Sequence, residues 1–129
     1  MERLIQALLV AVGVVNFLPV AGLLGAETLA NAYGIAAPEG DLLILMRHRA
    51  LLFGIVGALI IASAFRRHLR PAAIAAGSVS MIGFIILALD TGYGAKISTV
   101  VWIDVVASMA LVAVAVLHFR ASSASRRGE

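Results

Sequence analysis

The chain has 129 residues, of which 62% are hydrophobic and 13% charged, and its mean hydropathy is +1.05. A soluble domain of this size carries about a quarter of its residues charged, so lipid is the expected solvent for most of this surface. The net charge of +3 is what positively charged loops of a membrane protein produce and gives no sign of nucleic-acid binding, and the absence of cysteine excludes disulfides, thiolate metal sites and cysteine nucleophiles.

Four apolar stretches follow in order, 4–25, 42–65, 72–89 and 97–119. Three of them reach the ~20 residues that an α-helix needs to cross the hydrocarbon core, and the third is slightly short. The expected fold is therefore all-α, a four-helix transmembrane bundle over 1–120. A tail rich in Ser and Arg, 121–129, is expected to be disordered and cytoplasmic.

The first stretch reads as an uncleaved span. A single Arg3 beside Glu2 makes a weak signal-peptide start, and no small-x-small cleavage site follows the apolar run. Within it, Pro19 cannot donate to the carbonyl of Val15 and is expected to kink the helix. Asn16, one turn earlier, has two readings: it satisfies backbone near the kink, or it lines a cavity that the kink opens.

The connection after the first span is the longest. The segment 27–33 is expected to form a short interfacial helix, with Leu29 and Tyr33 directed toward lipid. The second span contains Arg47-His48-Arg49. The clean apolar run after this triplet is too short to cross alone, so the helix is expected to start near 38–41, where Pro38, Glu39 and Asp41 suit a helix N-terminus. The triplet then lies within the membrane. Helical spacing places Arg47 above Ala50, Gly54 and Ala58, small residues that let helices approach, so Arg47 is expected to face inward. Arg49, above bulkier residues, is expected to snorkel to headgroups. His48 reads as a hydrogen-bonded interface residue, since no second His lies nearby to share a metal.

The third span starts at Pro71 and ends at Asp90, which is expected near the interface. The fourth carries Asp104 about two turns, ~10 Å, inside its start. An unpaired charge in a span costs at least ~2.5–3.5 kcal/mol, so Asp104 needs a partner, and Arg47 is the expected one. Asn16, Arg47, His48, Arg49, Asp90 and Asp104 thus form the candidate polar network.

Seven arginines outside the triplet (Arg3, Arg66, Arg67, Arg70, Arg120, Arg126, Arg127) fall on one side of a four-span topology. The opposite loops hold Glu27, Glu39, Asp41 and Asp90, with Lys96 as the one loop cation. Both termini are therefore expected in the cytoplasm and the polar network in the outer half of a bacterial inner membrane.

Gly-rich phosphate loops, His-Glu-x-x-His pairs and Gly-x-Ser-x-Gly elbows are absent from the sequence, which argues against an enzyme of those classes. The set Asn16…Pro19, Tyr33-Gly34, Arg47-His48-Arg49-Ala50-Leu51-Leu52-Phe53-Gly54 and Asp104 resembles small bacterial four-helix membrane proteins that are DoxX-like in size and layout. That resemblance implies an accessory subunit of quinone-coupled redox or oxidative-stress assemblies. The residues themselves leave three functions open. The first is a binding or accessory protein for a small lipophilic or anionic molecule or a partner membrane subunit. The second is a small transporter or channel, and the third an intramembrane enzyme, the weakest of the three. No cofactor is assigned. Small-residue stripes on the second and third spans lead to an expectation of homo-oligomers.

Overall fold

The computed structural model describes residues 1–127, with side chains described as far as Ala124. Helix α1 covers Glu2–Phe17 and runs into a 3-10 helix, Leu18–Leu24. Helix α2 is Ala26–Tyr33, α3 is Gly40–Phe65, α4 is Arg70–Leu89 and α5 is Ala95–Arg127. Four segments are long and apolar enough to cross a bilayer: Glu2–Leu24, Gly40–Phe65, Arg67–Leu89 and Ala95–Ala124. The chain is a multi-pass helical membrane protein, and the all-α, four-span architecture is as expected.

The spans run alternately up and down and close into a ring. α1 packs on α3, α3 on α4, α4 on α5, and α5 on α1. Ile5, Leu9, Val12, Ile60, Ala64, Leu111 and Val114 form the centre toward the end that carries both termini. Large apolar side chains such as Ile55, Val79, Leu87, Val106 and Met109 point outward, as lipid contact requires. Gly54, Gly57 and Gly77 are all buried inside the bundle, together with Ala50 and Ala73. The small-residue stripes that led to an expectation of oligomers are thus partly occupied within one chain, with Ala58 left exposed.

The 3-10 segment follows from Pro19. The Leu18 amide still donates to the carbonyl of Val14, but Pro19 has no N–H for the next helical bond, and the chain winds more tightly through Leu24. Helix α2 appears where expected, yet Leu29 does not face lipid. It is buried against Gly22, where even a Cβ would come within 2.6 Å of it. The kinked segment offers a notch of backbone, and Leu29 fills it. Gly34, in the left-handed region at φ +65°, ends α2, with its amide on the carbonyl of Ala30 at 2.8 Å. The Lys96 ammonium donates to the carbonyl of Asn31 and ties α2 to the start of α5.

Two further differences from expectation concern the termini end. The last helix continues through Arg127 in place of a disordered tail from residue 121. Nothing in Ala121–Arg127 breaks a helix, and the hydroxyls of Ser122 and Ser123 donate to the carbonyls of His118 and Phe119 at 3.0 and 2.9 Å. Residues 128 and 129 of the expected tail lie outside the described residues. Arg70, counted as a loop cation, is 1% exposed and is an internal residue. Its Nε donates to the carbonyl of Ser63 at 3.2 Å, Nη2 to that of Ala64 at 3.3 Å, and its guanidinium forms an ion pair with Glu2. Arg67 holds the other side of the Glu2 carboxylate at 3.0 Å.

Candidate functional site

The end of the bundle away from the termini holds a cavity of about 360 Å³. Four polar side chains line it: Asn16 from the end of α1, Tyr33 from α2, Arg49 from α3 and Asp104 from α5. The rest of the lining is apolar and includes Leu18, Pro19, Phe53, Val100 and Ile103. Each contribution has a local cause. The stop at Pro19 leaves Asn16 on the last regular turn of α1, beside the space that the narrower 3-10 helix does not fill. Tyr33 is the last residue of α2, held there by the buried Leu29. Asp104 and Val100 lie one turn apart on α5 and so share a face.

Asn16 is 3% exposed, and neither its Nδ2 nor its Oδ1 has a hydrogen-bond partner among the described residues. Of the two readings of this residue, the geometry matches the one in which it lines a cavity. An unsatisfied buried amide costs about 1–3 kcal/mol, so its retention needs an explanation. Asp104 is 9% exposed, and among the described residues it has no ion pair or side-chain hydrogen bond. The nearby cation is Arg49. Its guanidinium donates to the Tyr33 hydroxyl at 3.1 Å and lies 5.3 Å from the ring centroid of Tyr33, 4.7 Å from that of Phe53 and 5.3 Å from that of Phe84. These are cation–π distances, and they hold the guanidinium at the cavity wall without closing it onto Asp104.

The expected Arg47–Asp104 pair does not form. Arg47 is exposed and lines a separate groove with His48, Leu23 and Leu51. Of the small stripe below Arg47, Ala50 and Gly54 pack against the 3-10 helix, whereas Ala58 is exposed. A Cβ on Gly54 would meet the Val20 side chain at 2.3 Å, and one on Gly22 would lie 3.2 Å from the Cβ of Ala50. This contact leaves Arg47 and His48 on the outer flank of the seam between α1 and α3. Arg49, two positions on, turns about 200° around the helix toward α4 and α5. The expected roles of the two arginines are therefore exchanged. Asp90, also expected in the network, is exposed at the end of α4 and does not line the cavity.

Tyr33, expected to face lipid, turns instead to Arg49 at the cavity, and with Phe53, on the same face of α3 as Arg49, and Phe84, which sequence reasoning missed, it surrounds the guanidinium. The signal was an arginine in a span with three aromatic residues at depths it can reach. No family model, curated protein or solved structure matches the chain. The likeness to DoxX-like proteins thus rests on small size and four-helix layout.

Proposed function

We propose that the protein binds a small, largely apolar molecule in the cavity between α1, α2, α3 and α5, and holds its polar head by Asn16, Arg49 and Asp104. The orphaned Asn16 amide carries this reading. A buried group with an unused donor and an unused acceptor, at the wall of an otherwise apolar cavity, offers two hydrogen bonds to the polar head of a ligand. The volume falls within the ~300–1,000 Å³ range of small-molecule pockets, and a few convergent polar groups on apolar walls are their usual composition. The channel alternative draws no support from the core nearer the termini, which Ile5, Leu9, Ile60, Leu111 and Val114 fill. The accessory-subunit role implied by the DoxX-like layout has no separate observation behind it.

Asn16→Leu separates this reading from a packing role. Leucine has the same branched shape, its larger methyl groups have the cavity to enter, and it removes the unsatisfied amide, so the melting temperature of protein stripped of bound small molecules is expected to rise, by up to the ~1–3 kcal/mol that an orphaned polar group costs. Small molecules co-purified with the protein, identified by mass spectrometry after solvent extraction, are expected to fall. Lower stability with the co-purified molecule retained would show that Asn16 serves the fold, and the proposal would fail.

The site's placement in the membrane follows from charge. Seven arginines lie at the termini end and its loop, against Lys96 in the opposite loops, which favours termini in the cytoplasm of a bacterial inner membrane. The cavity then opens from the outer leaflet side. Reporter fusions after Phe119 are expected to report a cytoplasmic location, and a periplasmic signal would invert the assignment.

A further inference from the structure

We infer that the cavity selects an amphiphile whose head group carries no net charge and presents a hydrogen-bond donor beside an acceptor, as an alcohol or a primary amide does. The inference rests on the cavity being a ligand site and adds the chemical class of the ligand.

Two opposite charges line one small apolar cavity without pairing. Asp104 supplies acceptors only. Arg49 supplies five N–H donors, of which one is used on Tyr33. Asn16 supplies one group of each kind, both unused. A head that donates to Asp104 and accepts from Asn16 or Arg49 satisfies all three sets at once. It also adds no charge to a site whose own charges already balance.

A carboxylate head would be drawn to Arg49 but would sit in the same low-dielectric space as Asp104, where like charges repel strongly. An ammonium head would meet Asp104 and be repelled by Arg49. The aromatic rings of Tyr33, Phe53 and Phe84 already stabilise the guanidinium. Arg49 therefore does not depend on an anionic ligand for compensation, and the purely anionic ligand considered from the sequence loses its main support.

The test uses three diazirine-tagged probes of equal chain length, a fatty alcohol, a fatty acid and a fatty amine, with the full-length protein in lipid nanodiscs. Photolabelling of peptides that contain Asn16 and Asp104 is read by mass spectrometry. In the unmodified protein the alcohol is expected to label these peptides several-fold more than either charged probe. Asp104→Asn leaves the cavity net positive and is expected to raise acid labelling about tenfold, a change of ~1.4 kcal/mol. Arg49→Gln is expected to do the same for the amine. Preference for the acid or the amine in the unmodified protein would overturn the inference and leave the binding reading standing. So would a probe order that neither substitution moves. Absence of label from these peptides with every probe would overturn the binding reading and the inference with it. The probe order in the unmodified protein decides the question alone if either variant fails to fold.

Discussion

Arg70→Met is expected to destabilise the protein by about 2–4 kcal/mol, because two buried helix carbonyls would lose their donors at ~1–3 kcal/mol each. The side chain is buried and serves two acceptor sets. The carbonyls of Ser63 and Ala64 belong to the last turn of α3, whose final carbonyls have no partner within the helix. A cation there also complements the negative end of the helix. The opposite edge of the guanidinium meets Glu2, with Nη1 at 3.3 Å from Oε2, and so joins the first turn of α1 to the junction of α3 and α4. Methionine fills the space and leaves those carbonyls dry. Arg70→Lys is expected to fall between, since one ammonium cannot span both carbonyls and the carboxylate. Glu2→Gln is expected to cost less than Arg70→Met, because Glu2 is partly exposed and its partner keeps the two carbonyls. Denaturant titrations in detergent micelles check the order. A loss below about 1 kcal/mol for Arg70→Met would mean that water reaches these carbonyls.

Much of this arrangement was legible in the sequence, and the parts that were not have definite causes. Hydropathy sets the spans because every backbone group in lipid must bond within its own helix, so a long apolar run has one solution. Asn16, Pro19 and Asp104 stood out for the same reason: polar or helix-breaking residues in lipid are costly. The triplet was harder. Three consecutive helical residues cover about 200° of the helix surface, so the triplet alone does not say which of them faces inward. The small stripe of Ala50 and Gly54 identified the face that meets another helix. It did not say that the partner would be the 3-10 extension of α1, nor that the cavity would open on the other flank, toward Arg49. Arg70 was hidden differently. Its partner Glu2 lies 68 residues earlier, and only the closing of the ring brings the two together. A cation beside a turn reads as solvated until that closure is known. Leu29 failed for a related reason, since the notch at Gly22 exists only once Pro19 has narrowed the helix.

Gly57→Leu is expected to abolish folding of the bundle, and Gly57→Ala alone to cost about 1–3 kcal/mol, the usual penalty for overpacking. The reason is what a Cβ would meet at this position. It would lie 2.7 Å from the amide nitrogen of Phe17, 2.8 Å from the carbonyl oxygen of Gly13 and 2.9 Å from the Cα of Phe17. All three are backbone atoms of α1, so no rotamer change relieves the contact and the two helices must separate. Other glycines supply the scale. A Cβ at Gly77 would meet the side-chain ends of Leu111 and Ile60 at 2.9 and 3.0 Å, which can shift, so Gly77→Ala is expected to cost less. Gly83 has open space around it within α4, so Gly83→Ala is expected to stabilise by ~0.5–1 kcal/mol through lower chain entropy in the unfolded state. Separation at Gly57 also moves the cavity, because Phe17 directly follows Asn16 and leads into the Pro19 segment. Gly57→Ala is therefore expected to lose the co-purified molecule along with stability, whereas Asn16→Leu loses it while the stripped protein gains stability. Melting temperatures of the alanine variants, measured together with their extracted small molecules, test both statements. If Gly57→Ala and Gly83→Ala shift the melting temperature in the same direction, α1 and α3 do not touch backbone to backbone. The cavity geometry that depends on that contact would then fall with it.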